Sequence, residues 1–285
     1  MSSADRKKAT SVQSYLDRLD DQLKEMRVFD RTTLNPWFRG QPRLRDEKNR
    51  ILKLRPSLYR GVIKPKYERH LVRDFILNAG SIYQRTFKRN LECLAYMQHY
   101  GAPTRLLDWT ENALVALYFA VVEHPKADAQ VWILDAWSLN ERTLERRNVP
   151  TWRDKAVSKY FKPPIKAPQG NETLPIAFRP TRSDERVLAQ RSMFTVHGSC
   201  KDGLEDIVRR WRNTGGKNHP ILRSVTVDGS AKGKIKTQLD RLGVTVFSVF
   251  RDRASVANEV KAQYSNLTEL KRTIKKKKRA ARSPR

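Results

Sequence analysis

Three short stretches of the chain concentrate side chains that can do chemistry. In the first, Phe38-Arg39-Gly40-Gln41, a guanidinium, a glycine and an amide follow an aromatic residue. An arginine there can hold a phosphate or carboxylate through two parallel bonds, with glycine allowing close approach. It can equally be a structural arginine paired with a core carboxylate. The second stretch, Gln98–Thr110, reads QHYGAPTRLLDWT and crowds polar and aromatic groups into a turn, a strand end and a helix start. Backbone N–H groups point outward at such a place and suit an anion. Asp108 offers a carboxylate and Trp109 a stacking surface, or else Asp108 pairs with Arg105 or another core arginine and Trp109 packs. His99 is either a base or a satisfied, partly buried histidine. The third stretch, Asp184–Phe194, carries Glu185 and Gln190 ahead of an apolar run. Gln190 can fix a ribose hydroxyl or an amide, and spacing alone makes it a loop residue.

The elements that must position these groups follow from periodicity and turn chemistry. Val12, Tyr15, Leu16, Leu19, Leu23 and Met26 recur at helical spacing and predict an amphipathic N-terminal helix. Asn35-Pro36 ends that pattern before a short strand over Trp37–Gly40. Helices are expected from about 66 to 87 and 91 to 99, a turn over Tyr100–Pro103 and a strand over Thr104–Trp109. Thr110 is placed to cap an almost wholly apolar helix, Glu111–Val122. Gln130–Asp135 reads as a buried strand, Trp137–Arg147 as a helix, and the proline-studded Phe161–Pro180 as an irregular loop. A strand over Met193–Val196, a helix over Asp202–Trp211 and a strand–helix–strand unit ending at Val244–Phe250 follow. A last helix, about 254–270, runs into a basic, disordered tail. Strands and helices mix without strict alternation, which predicts an α+β fold. The expected divisions are an N-terminal helix (1–30), a central domain (31–250) and a C-terminal helix with tail (251–285).

Composition bounds the function. Lys and Arg number 58 against 30 Asp and Glu, a net charge of +28. Nine basic residues and no acidic ones fall in residues 271–285, leaving +19 for the rest. Residues 31–73 alone carry thirteen basic against three acidic side chains. Such a field attracts polyanions and releases counterions on meeting nucleic acid. The candidate nucleic-acid contacts are Arg43, Arg45, Lys48, Arg50, Lys53 and Arg55, together with Lys275, Lys276, Lys277, Lys278 and Arg279 of the tail. The longest apolar run, Ala113–Val122, is about half a membrane span, so no membrane helix is expected. Cys93 and Cys200 have no histidine at metal spacing, so no metal site or disulfide framework is expected. A reducing, intracellular setting is the default. Phosphate-loop, dinucleotide-loop, zinc-protease and serine-hydrolase motifs are missing.

Taken together, the three stretches resemble the FRG domain, a bacterial and phage-associated family whose name is spelled by Phe38-Arg39-Gly40. Leu54–Arg60 (LRPSLYR) resembles the family's second block, Gln98–Ala120 its signature block, and Arg186–Gln190 followed by Phe194-Thr195 a late element. The order of these blocks is also similar, more remotely, to the three-part signature of ADP-ribosyltransferases, small sheets flanked by helices. That resemblance implies NAD held by Arg39, Gly40, Gln41, His99, Tyr100, Thr104, Arg105, Trp109 and Thr110, with Tyr100 or Trp109 stacking on nicotinamide. Arg39, Asp108, Glu185 and Gln190 are then the catalytic candidates. Where the ADP-ribosyltransferase pattern has a glutamate, this chain has Gln190, which can hydrogen-bond but brings no negative charge.

The expectation is an NAD-dependent ADP-ribosyltransferase acting on nucleic acid as a toxin or phage-defence effector. It would be cytoplasmic in a bacterium or associated with the nucleoid, and restrained by an antitoxin or a phage protein. A non-enzymatic DNA- or RNA-binding protein is the alternative, and a metal-dependent nuclease or hydrolase the third reading.

Overall fold

The computed structural model describes residues 8–26, 35–61, 63–78, 90–161, 174–180, 185–213, 220–252, 255–257, 260–261 and 264. Helix α1 (Val12–Glu25) begins at a capping box in which Ser11 and Ser14 satisfy each other's backbone N–H groups. Val12, Tyr15, Leu19 and Leu23 bury one stripe of it, while Leu16 lies outside the stripe at 38 % exposure. The strands are β1 (Trp37–Gln41), β2 (Leu106–Thr110), β3 (Ala129–Leu134), β4 (Ile176–Phe178), β5 (Ser192–Val196) and β6 (Leu222–Val227). They form one antiparallel sheet in the order β4-β5-β2-β1-β3-β6.

The remaining helices are α2 (Glu68–Asn78), α3 (Asn90–His99), α4 (Ala113–Val121), α5 (Ala136–Leu144), α6 (Lys155–Ser158), α7 (Glu185–Ala189), α8 (Leu204–Asn213), α9 (Lys232–Arg241) and α10 (Val246–Phe250). Strand alternation gives the sheet two apolar faces. On one, Phe38, Val131, Ile133, Val225 and Val227 pack against α1, α4 and α9. On the same face, Leu106, Ile176, Phe178, Phe194 and Val196 form a second core with Val72 of α2 and Cys93, Leu94 and Met97 of α3. On the opposite face, Trp37, Leu107, Trp109, Leu134 and Met193 meet α5 and α8. The expected α+β class is the one observed.

The sheet is two three-stranded halves joined at a narrow seam. Strands β1 and β3 share five register pairs, and β2 and β5 another five, but β1 and β2 pair only at Phe38–Thr110. Beyond that pair they share no further register pair, and the segment Leu52–Arg60, the wedge, bonds to both sides. The Gln41 side chain donates to the Leu52 carbonyl on one side, and Leu58 N–H donates to the Thr104 carbonyl on the other.

Three local expectations differ from the structure. The expected strand Val244–Phe250, rich in β-branched and aromatic residues, is helical over Val246–Phe250, because Thr245 and Ser248 form a capping box that starts α10. The proline-rich segment contains β4, added to the sheet edge through β5. Helix α4 is capped by Asn112, whose Oδ1 accepts from Leu114 and Val115, and Thr110 instead receives the Asn112 N–H. The expected C-terminal helix is described only at 255–257, 260–261 and 264, where it is helical; the rest and the basic tail lie outside the described residues. Among the described residues no helix is long and apolar enough to cross a membrane.

Candidate functional site

Arg39 stands at the opening in the ladder where β1 and β2 stop pairing after Phe38–Thr110. Its Nη1 donates to the Asp108 carbonyl at 2.8 Å and lies 3.7 Å from the Asp108 carboxylate. The Arg39 side chain is 20 % exposed and that of Asp108 49 %, so the pair sits at the mouth of the opening. Burial lowers the Arg39 pKa and the Asp108 charge offsets part of that effect; the guanidinium stays a cation at any working pH.

Asp108 is held from its other side. Gln98, near the end of α3, donates through Nε2 to Asp108 Oδ2 at 2.8 Å. The Thr104 hydroxyl donates to Gln98 Oε1, which fixes the amide with its NH2 toward Asp108. Gly101, with φ of 80°, lets the chain turn from α3 back into β2 so that these groups meet. Thr104 and Gln98 are therefore supports of Asp108, and Thr104 itself is fully buried. Arg60, exposed at the end of the wedge, lies near enough for the Arg39 and Asp108 charges to act on it. Its pKa is lowered by burial first and then by the Arg39 charge, with Asp108 opposing, and its Nε donates to the Arg55 carbonyl.

The neighbouring part of the seam is polar too. The Thr110 hydroxyl donates to the Gln190 carbonyl, and Glu111 N–H donates to the Arg191 carbonyl. These bonds tie the start of α4 to the turn before β5. Gln190 Nε2 is buried and has no hydrogen-bond partner among the described residues. Tyr100 is 61 % exposed and its ring lies 4.7 Å from that of Tyr96.

Arg39, Asp108, Thr110 and Gln190 are thus brought to one seam, but several other expected residues are not. Trp109 is 2 % exposed and its indole N–H donates to Thr195, so it packs in the core and offers no face for stacking. Arg105 is buried and paired with Glu68. Gly40 faces α4, where an added Cβ would lie 2.1 Å from the Ala116 carbonyl oxygen. Gln41 clamps the loop after β1, donating to the Arg43 and Leu52 carbonyls and accepting from Trp132. The side chains of His99 and Glu185 lie outside the described ones. Gln98 and Arg60 were missed as site residues; their signal was position inside the two family-resembling blocks, Gln98–Ala120 and Leu54–Arg60.

The basic stretch after β1 is partly neutralised. Leu44 and Leu52 pair as a small hairpin, with Asp46 accepting from the backbone of Lys48 and Arg50 and from the Arg50 guanidinium. Arg43 pairs with Glu47, Arg45 donates to the Asn49 carbonyl, and Lys53 pairs with Asp206. Lys275–Arg279 lie outside the described residues.

One buried histidine lies behind this site. His197 is fully buried next to Arg105, and neither ring nitrogen has a partner among the described residues. Burial, reinforced by the Arg105 charge, lowers its pKa to about 3. The folded protein therefore keeps His197 neutral while the unfolded chain protonates below its ordinary pKa of about 6.5. Stability attributable to this group is complete above that value and is lost as pH falls from 6.5 toward 3. Urea unfolding at pH 7 and near pH 4.5 should show a loss of about 2–3 kcal/mol that a His197→Asn variant lacks. Equal losses in the two proteins would contradict it.

The fold and site define a mixed α+β domain whose sheet divides at an arginine-bearing strand and carries an arginine–carboxylate pair in the division. Residues 35–129, which hold β1, the wedge, the Gln98–Thr110 block and α4, match the family model for the FRG domain. The chain therefore contains an FRG domain. The Arg186–Gln190 block lies outside the matched range. Comparison with curated proteins and with solved structures gives no match.

Proposed function

We propose that this FRG-domain protein is an NAD-dependent ADP-ribosyltransferase whose acceptor is nucleic acid. The observation that carries the reading is the divided sheet, with a part-exposed arginine opposite a part-exposed carboxylate in the opening. The residues present suit NAD. The Arg39 and Arg60 guanidinium groups can take a diphosphate, and the buried, unpartnered Gln190 amide can donate to a ribose hydroxyl. NAD supplies an ADP-ribosyl group on a nicotinamide leaving group. Asp108 is held by Gln98 with its charge toward the opening, where it favours positive charge developing at the ribosyl carbon. This assigns to Asp108 the electrostatic role that Gln190, being neutral, cannot fill. Tyr100 offers an exposed ring for a flat heterocycle.

The test is incubation with NAD labelled in the adenylate, offered separately with protein, DNA and RNA, while nicotinamide release is followed. Arg39→Lys should lower nicotinamide release roughly 10- to 100-fold, since charge-assisted hydrogen bonds contribute about 1.5–3 kcal/mol. Neither transfer nor release by the unaltered protein would remove the reading. A nucleic-acid-binding protein without catalysis is the second reading. It is favoured by the Arg39–Asp108 contact, which ties β1 to β2 with or without a ligand. A metal-dependent nuclease has less support: no group of three or more His, Cys, Asp or Glu among the described residues is placed to hold an ion.

A further inference from the structure

We propose that the outward face of α8, together with Lys53 and Arg55 of the wedge, forms the surface that holds the sugar–phosphate backbone of a nucleic acid beside the Arg39 opening. This deepens the nucleic-acid half of the function proposed above and rests on it.

Two segments about 150 residues apart in sequence meet here. Leu204 N–H donates to the Leu54 carbonyl, Leu54 N–H donates to Glu205, and Lys53 pairs with Asp206. These bonds fix the first turn of α8 on the wedge. The other end of the wedge reaches the opening, where Arg60 lies within electrostatic range of Arg39 and Asp108. A cationic track therefore runs from α8 along the wedge to the candidate site.

Helix α8 is sharply divided. Leu204, Ile207 and Val208 are buried, while Arg209, Arg210 and Arg212 are exposed. Arg209 pairs with Asp206 at 3.1 Å and Arg210 with Asp202 at 2.7 Å, yet both arginines remain more than half exposed. Such exposed pairs contribute about 0–1 kcal/mol, so a phosphate can displace them at small cost. Among the described residues Arg212 has no ion-pair partner, and the buried Arg55 Nε has no hydrogen-bond partner. Lys53, Arg209 and Arg210 line one open recess with the two aspartates.

The division of α8 also separates nucleic acid from a lipid surface. A membrane-lying helix must present an apolar face outward beside its cations. Helix α8 turns its apolar face into the core, and its exposed side chains are Arg209, Arg210 and Arg212. Guanidinium groups repeated along a rigid helix match the regular phosphates of a strand instead.

The experiment uses the full chain without NAD, with fluorescent short DNA and RNA, single-stranded and duplex, between about 50 and 200 mM salt. Arg209→Gln/Arg210→Gln/Arg212→Gln should bind at least about tenfold more weakly at the higher salt. For duplex DNA its slope of log K against log salt should be shallower by roughly 2–3, since each lost phosphate contact removes about 0.9. Asp202→Asn frees Arg210 and should tighten binding, a gain that misfolding cannot imitate. The proposal is overturned if the triple variant keeps the parental affinity and slope. It is also overturned if the parent prefers phosphatidylserine vesicles to nucleic acid. Loss of binding with NAD cleavage intact would leave the transferase reading with another acceptor. Binding without NAD cleavage would remove that reading and leave this surface.

Discussion

Glu68→Gln is expected to cost about 3–5 kcal/mol of folding stability, because it leaves a buried guanidinium without its counter-charge. Arg105 Nε lies 2.8 and 2.9 Å from the two Glu68 carboxylate oxygens, and both side chains are 3 % exposed. The same guanidinium donates through Nη2 to the Tyr160 carbonyl at 2.6 Å and through Nη1 to the His197 carbonyl at 3.5 Å. One side chain on the approach to β2 thus joins α2, the turn after α6 and the end of β5. Burial raises the Glu68 pKa even against the opposing Arg105 charge, so the ion pair is costly to desolvate. It follows that the pair need not be a net stabiliser, although breaking it is severe. Glu68→Leu combined with Arg105→Met should recover most of the loss in either single variant. Equilibrium urea unfolding of the unaltered protein, the single variants and the double variant checks this. A loss below about 1 kcal/mol in Glu68→Gln would mean that water reaches the pair.

Gly40→Ala is the second large effect, at about 3 kcal/mol or more, the upper end of the range for overpacking. A Cβ at Gly40 would stand 2.1 Å from the Ala116 oxygen, 2.7 Å from the Ala120 nitrogen and 2.9 Å from the Phe119 Cβ. Two of these atoms are backbone of α4, so no side-chain rotation can relieve the clash. Helix α4 must then lift from β1, opening the core that Phe38, Val115 and Ala116 share. Gly233→Ala gives the contrasting control. It lies within α9 with open space around it and should stabilise the protein by about 0.5–1 kcal/mol. Thermal unfolding of the two variants should shift Tm in opposite directions; an unchanged Tm for Gly40→Ala would show that α4 does not lie this close to β1.

These two cases explain what the family's motifs do in this chain. In Phe38-Arg39-Gly40, the phenylalanine fills a core, the glycine admits α4, and the arginine alone reaches the opening. In Gln98–Thr110, Gln98, Thr104 and Gly101 position Asp108, whereas Arg105 and Trp109 hold the interior together. Residues that look equally chemical in a string of letters divide into those that face a ligand and those that face other protein.

Local chemistry was legible wherever neighbours in sequence decide the outcome. The stripe Val12, Tyr15, Leu19, Leu23 sets α1, and the all-apolar composition of α4 sets its burial. Val244–Phe250 was misread because its β-prone residues outweighed a Thr-x-x-Ser box that starts a helix. Strand β4, only three residues long, exists because β5 offers an edge, and no short-range pattern announces it. The sequence by itself determined the α+β class, the strand carrying Arg39, the strand carrying Asp108 and the strongly basic character. Only the tertiary structure decided that Arg39 meets Asp108 while Arg105 meets Glu68, because partner choice depends on which side chains the divided sheet leaves near water. The same assembly decided that the basic stretch after β1 lies against α8, since long-range hydrogen bonds at Leu54 join them across the chain.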